Sequence, residues 1–423
     1  MQERQTDAAS NPKDRFGDPM LHAVLALGIT QITAWGTTYY ALGVLAAPII
    51  ENEGWSRTIV FLGFSLALLA MSAVSTTVGR MIDTRGGRTV MSIGSVLSAV
   101  GLAIMAFAHN EATYLAAWAF LGIAMRMSLY DAAFAALVQV APSRGRRAIS
   151  YLTLFGGFAS SIFWPIGHYL AQGVGWSNTL LIYAVLNLLV CLPLHWIGLR
   201  QREPDGTVAE ADTARAAERV ADAPLEGAGR TLGIILFAGI MSLNGFVFGA
   251  LSIHLVPVLQ ATGLAAAAAV WLASLKGVAQ VAGRVVEMTW WRKLHPLAVG
   301  RIALGFLPLS LALLMFGGAS FATALAFTLI MGASQGIITI VRGAVPLALF
   351  GPKGYGAVLG LIATPILLVN ALSPPGYALI IDTWGHTVGQ GVLLACSFLS
   401  FLAMEATAWW YRNRSRRGAN GAN

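Results

Sequence analysis

The chain has 423 residues, 57% of them hydrophobic and only 11% charged, and a net charge of +8 at pH 7. Soluble domains run at roughly 45–50% apolar and about 25% charged, so this composition excludes a water-soluble globule. The only cysteines, Cys191 and Cys396, both fall inside apolar runs, which excludes a disulfide framework or a thiolate metal site.

Residues 1–20 are mixed in charge and lack a signal-peptide core, and the first apolar run is too long for one, so it is expected to remain in the mature protein. A membrane-spanning helix needs about 20 apolar residues. Such runs cover 21–47, 58–80, 89–109, 112–140, 149–172 and 177–199. A polar stretch rich in Ala, Arg, Glu and Asp follows at 200–230, and six more runs cover 231–259, 264–288, 297–317, 320–342, 355–381 and 387–410. The bilayer core holds no water to satisfy backbone groups, so runs of this length read as helices. The prediction is an all-α membrane protein of twelve transmembrane helices, in two six-helix pseudo-symmetric halves at 21–199 and 231–410. Tails at 1–20 and 411–423 flank the halves, and the linker at 200–230 has room for one surface helix.

Orientation follows from Lys and Arg, which favour the cytoplasmic side of short loops. One side carries Arg80, Arg85, Arg88, Arg144, Arg146, Arg147, Arg292, Lys293, Lys353, the basic residues of both tails and those of the linker; the other carries only Arg57. Both termini are therefore predicted to be cytoplasmic. The positive charge is accounted for by this topology, and nucleic acid is not an expected partner.

After the second run comes Gly79-Arg80-Met81-Ile82-Asp83-Thr84-Arg85-Gly86-Gly87-Arg88, and after the eighth a fainter copy, Gly283-Arg284-Val285-Val286-Glu287. Aligning Gly54 with Gly263 brings Gly79 and Asp83 close to Gly283 and Glu287, so the halves read as parallel copies of one unit. Gly79 allows close helix approach, Gly86 and Gly87 permit a tight turn, and Asp83 can pair with a nearby Arg or cap a neighbouring helix start. Arg284 and Glu287, three residues apart, are expected to pair. Gly79, Asp83, Arg85, Gly86, Arg88, Gly283, Arg284 and Glu287 are thus predicted gate residues. Two repeats around a midplane site describe a transporter.

Ionisable groups are costly near the bilayer centre, at least about 2.5–3.5 kcal/mol each. Arg126 lies midway along the fourth run and Lys276 midway along the eighth, one in each half. Two cations facing a shared cavity favour an anion, which Arg holds in a fork and Lys as a point charge. One turn away on the same faces lie Tyr130 and Gln280. Gln31, Trp35, Thr38 and Tyr39 form a stripe on the first run, Asn244 marks the seventh, and Gln335, Thr339 and Arg342 share a face of the tenth. Asp131 is the most deeply placed acid and is read either as the carrier of a coupled proton or as a salt-bridge partner. In an unbroken helix it would sit about 140° around from Arg126, a poor geometry for a contact. His168, His195 and His254 are scattered and suggest no metal site. No nucleophile, base and acid come together and no phosphate loop appears, so neither an enzyme nor a cofactor is expected.

Gly79, Asp83, Gly86 and Arg88 meet the pattern Gly-x-x-x-Asp-Arg-x-Gly-x-Arg, with Thr84 in place of the first Arg. In this the chain resembles the major facilitator superfamily over nearly its whole length. The resemblance implies alternating access, with the first, fourth, seventh and tenth helices lining the cavity. Within that family Lys276 in the eighth helix resembles the monocarboxylate porters and oxalate/formate exchangers, although their signature before the first helix is not recognisable in Phe16-Gly17-Asp18-Pro19. The competing reading is an efflux pump for drugs or toxic ions such as metalloids. Trp164 before Pro165 departs from the Gly-Pro signature of the drug antiporters' fifth helix. The expected partners are a small organic anion, protons or a counter-anion, and the lipid of a bacterial inner membrane, with the protein acting as a monomer.

Overall fold

The computed structural model describes residues 18–203, 224–318 and 320–420. Most of the linker, where a surface helix was expected, and the tail charges within 1–17 lie outside the described residues. Those that are described contain helices and no strand.

The first half holds α1 (Pro19–Ala34), α2 (Leu42–Glu53), α3 (Arg57–Arg85), α4 (Gly87–Ala106), α5 (Glu111–Ser128), α6 (Tyr130–Val140), α7 (Gly145–Gly157), α8 (Ala159–Leu186) and α9 (Leu192–Gly198). The second holds α10 (Gly227–Ala261), α11 (Ala266–Thr289), α12 (Pro296–Phe316), α13 (Phe321–Phe350) and α14 (Tyr355–Asn420). Helix starts follow from polar caps. Ser56 accepts from Ile59 N, Asn110 from Thr113 N, and Ser320 from Thr323 N. Among the described residues nine helical stretches are long and apolar enough to cross a membrane. Two of them, Pro142–Gly198 and Tyr355–Arg414, are interrupted at Gly175 (φ 83°, ψ 163°) and Gly385 (φ 82°, ψ 169°). Only glycine adopts this backbone readily, so each forces a bend, and the two recur at equivalent places in the halves. The first apolar run is also interrupted, by a π-turn at Trp35–Tyr39 between α1 and α2.

In lipid, helices gain little from hiding apolar surface from one another, so small residues that let backbones approach decide which helices pair. A Cβ on Gly122 of α5 would lie 2.2 Å from the Ala67 carbonyl oxygen of α3. In the second half a Cβ on Gly336 of α13 would lie 2.1 Å from the Gln280 oxygen of α11. The same pairing thus recurs: the second run packs on the fourth, and the eighth on the tenth. Across the halves α3 packs on α14, and α7 on α11 and α13. The outer surface carries exposed Leu189, Ile197, Ile235, Val278 and Leu379, a face suited to acyl chains.

At the chain's entry, Asp18 caps α1 through Met20 N and takes a two-pronged pair from Arg144 at 2.6 Å, while Arg144 also donates to Glu203. The Arg144 guanidinium holds the Asp18 carboxyl below its usual range, against a smaller opposing effect of burial. A depressed carboxylate pKa contributes stability above the unfolded value of about 3.9 and loses it as pH falls through the folded value. Asp18→Asn should therefore lower the thermal midpoint in detergent at pH 7, and the difference from wild type should shrink as the pH falls below the unfolded carboxylate value of about 3.9. Gly122→Ala should lower stability by about 1–3 kcal/mol, read from unfolding of the same detergent-solubilised protein.

Candidate functional site

A cavity of about 170 Å³ lies between the halves. The first half supplies Trp35, Tyr39, Tyr40, Arg126, Tyr130 and Asp131; the second supplies Asn244, Gln280, Arg284, Gln335, Thr339, Arg342 and Asn370. Pockets for drug-sized ligands run about 300–1,000 Å³, so this one suits a smaller molecule.

Its electrostatic centre is Asp131. Helix α5 ends at Ser128, Leu129 turns extended (φ −86°, ψ −170°), and α6 restarts at Tyr130. This break brings Arg126 Nη1 to 3.8 Å from Asp131 Oδ2, a contact that the unbroken helix disfavours. From the other half Arg342 Nη2 reaches the same oxygen at 2.7 Å. Arg126 Nε donates to Ser75 Oγ at 2.7 Å, while Asp131 Oδ1 is buried with no hydrogen-bond partner.

Gln31 braces the break instead of lining the cavity. Its amide donates to the Ser128 carbonyl at 2.8 Å and accepts from Trp35 Nε1 at 3.0 Å. Gln335 donates to Asn244 at 3.2 Å, so those two meet across the second half. Lys276 does not line the cavity; its ammonium sits 5.4 Å from the ring centroid of Phe248, which does. Thr38 turns its hydroxyl back to the Ala34 carbonyl. Among the polar lining residues, Tyr40, Arg284, Thr339, Arg342 and Asn370 stood outside the predicted binding set, although Thr339 and Arg342 were noted on one face of the tenth run. An isolated amide in the eleventh apolar run was the available signal for Asn370, whereas Arg284 was read as part of the gate.

The repeated motifs meet the opposite half at one end of the bundle. Asp83 accepts from Gly356 N at 2.9 Å and Ala357 N at 2.7 Å, capping α14 from α3. Gly79 and Gly356 face each other so closely that a Cβ on Gly79 would lie 2.1 Å from the Gly356 oxygen. The expected Arg284–Glu287 pair is replaced by another. Glu287, 2% exposed, accepts from Arg146 at 3.0 Å and from Ser150 at 3.1 Å. Arg284 instead turns inward and donates to the carbonyls of Thr153 at 2.7 Å and Gly336 at 3.4 Å. The physical reason is that Arg146, on the first turn of α7, reaches Glu287 from across the halves and frees Arg284 to turn the other way. Gly283 packs on Ala333, where a Cβ would lie 2.4 Å from its oxygen. Arg88 stacks on Trp196 at 3.8 Å, within its own half, and Gly86 forms the turn with φ 83°. Arg85 is exposed and faces a second, polar hollow shared with Arg202.

The family model for the Major Facilitator Superfamily matches residues 27–317. The chain belongs to the Major Facilitator Superfamily. Members of this superfamily are transporters that bind small molecules, and this one is a multi-pass integral membrane protein. Among solved structures, the human organic anion transporter MFSD10 (TETRAN) superposes with a TM-score of 0.71 at 16% identity, covering 91% of this chain and 99% of that one. The proton:xylose symporter XylE gives 0.67 at 15%, over 94% and 96%, and FucP in its outward conformation 0.66 at 13%, over 92% and 99%. An uncharacterized 38 kDa protein of Thermoproteus tenax is 28% identical over 170 residues, 40% of this chain and 44% of that relative's length.

If Asp83 and Glu287 close this end, replacing both as Asp83→Asn and Glu287→Gln should widen it. Spin labels at Thr84 and Lys353, read by pulsed dipolar spectroscopy, should move apart by several ångströms in a large share of molecules; an unchanged distance distribution would remove them from the gate.

Proposed function

We propose that this protein is a secondary active transporter that moves a small organic anion, a carboxylate, across a bacterial inner membrane by alternating access. The observation that carries the reading is the charge of the cavity: Arg126, Arg284 and Arg342 line it against the single carboxylate Asp131. Guanidinium groups away from water bind carboxylates in two-pronged, charge-assisted hydrogen bonds. The amides of Asn244, Gln280 and Gln335 and the rings of Trp35, Tyr39 and Tyr130 complete the binding surface we assign. Structural likeness at 13–16% identity speaks for the fold alone, so the substrate reading rests on these residues.

The twelve-crossing topology is supported by the helix breaks. Splitting the long stretches at Gly175 and Gly385, and adding the interrupted run from Pro19 to Glu53, takes the nine spans to twelve. An even count, together with basic residues on the Asp83 side, favours cytoplasmic termini. The end joined by Asp83 and Glu287 is then the cytoplasmic gate, closed in this conformation.

Transport would proceed by competition for Arg342. An incoming carboxylate takes over the guanidinium that Asp131 holds at 2.7 Å, and a proton on Asp131 makes that exchange cheaper by removing the rival charge. Asp131 is thereby proposed as the coupling residue for a proton, with anion exchange as the alternative in which the counter-anion plays its part. Lys276, behind Phe248, is proposed to join the substrate as the halves rock. The small cavity counts against efflux of drug-sized molecules.

Carboxylate uptake into proteoliposomes tests the reading. Arg126→Gln should cut uptake at least about tenfold, the loss of one charge-assisted bond, at unchanged protein content. Full transport by that variant would refute the assignment, and stabilisation of the purified wild type by lipophilic cations alone would favour the efflux reading.

A further inference from the structure

Arg284 is buried, 5% exposed, and lines the cavity, yet its hydrogen bonds go only to backbone carbonyls, those of Thr153 and Gly336. Among the described residues no carboxylate lies within ion-pairing distance of it. Glu287, its neighbour in sequence, is committed to Arg146, and Asp131 is shared by Arg126 and Arg342. A carbonyl accepts a hydrogen bond but does not neutralise a charge, and an uncompensated guanidinium away from water is strongly disfavoured. Three guanidinium groups against one carboxylate leave two positive charges unmatched in a space of about 170 Å³.

We propose that the substrate is a dianion with two separated carboxylates, and that Arg284 is its second anchor, opposite the Arg126–Arg342 pair. This inference rests on the anion reading above and narrows it. The two anchoring places are distinct: Arg284 lies beyond ion-pairing distance of Asp131, and Tyr130 links them. Its backbone adjoins Asp131, and its hydroxyl donates at 3.3 Å to the same Thr153 carbonyl that Arg284 uses. Arg284 sits on α11 and Arg342 on α13, while Arg126 belongs to the first half. A molecule with a carboxylate at each end would therefore supply one counter-charge to the Arg126–Arg342 pair, which spans the halves, and a second to Arg284. The volume, about five or six waters' worth, suits a short-chain dicarboxylate.

The probe is a pair of equal shape and unequal charge, succinate and its monomethyl ester, extended to malonate and glutarate with their monomethyl esters. Binding is measured by calorimetry on the full-length purified protein. Wild type should bind at least one diacid of the series at least about tenfold more tightly than its monoester, the worth of one charge-assisted contact. Arg284→Gln should bring diacid and monoester within about twofold, and Arg284→Lys should keep a preference for the diacid. A purely structural role for Arg284 would weaken both ligands together and leave their ratio alone. Equal binding of each diacid and its monoester by wild type overturns the proposal without recourse to any variant, and so does an undiminished preference in Arg284→Gln. If neither diacids nor monoesters bind, the anion reading itself falls; if monocarboxylates bind and diacids do not, only the dianion is lost.

Discussion

One buried carboxylate holds the middle of this molecule together. Asp131, with a side chain 7% exposed, faces a guanidinium from its own half at 3.8 Å and one from the other half at 2.7 Å. Away from water such charges cannot be left unpaired, and their attraction is far larger than on a surface. The position of Asp131 in turn depends on a defect. Without the extended residue Leu129 between α5 and α6, Asp131 and Arg126 would point to different sides of one helix. The break exposes the Ser128 carbonyl, and Gln31 fills that need from α1. The polar middle is thus a chain of dependencies running from Gln31 through the break to Arg342.

The contacts joining the halves at the motif-bearing end work differently. Asp83 meets backbone N–H groups at the start of α14, so its hold depends on the close glycine contact between α3 and α14. Glu287, its counterpart in the repeat, meets side chains, Arg146 and Ser150. Equivalent acids in the two halves therefore bind by unlike means: one needs tight backbone packing, the other a long flexible cation. In the proposed alternating-access cycle, this interface of a few polar contacts over small residues separates as a unit.

Much of this was legible in the chain. Composition and the lengths of the apolar runs required membrane helices, because backbone groups in lipid have no other partner. The recurrence of Gly79 and Asp83 as Gly283 and Glu287 marked the repeat, and the alternative of Asp83 capping a neighbouring helix is the one adopted. Arg126, Tyr130 and Asp131 were conspicuous because an ionisable group deep in an apolar run is costly. Arg284 was harder to read. Three residues from an acid on a helical face, it had an obvious local partner, and nothing in the sequence places Arg146, far away in the chain at the start of α7, close enough to take that acid away.

The sequence by itself determined what is set by local pattern and solvent: that the chain spans a membrane, that Gly79 and Asp83 recur as Gly283 and Glu287, and which few charges fall inside apolar runs. Only the tertiary structure decided which charge faces which. Such pairing is a long-range matter, fixed by where Leu129 breaks its helix, where glycines let backbones touch, and which guanidinium arrives at each carboxylate. Lys276 and Arg284, both cations of α11, differ for this reason alone: the packing of α11 on α13 turns Arg284 into the cavity and leaves Lys276 behind Phe248.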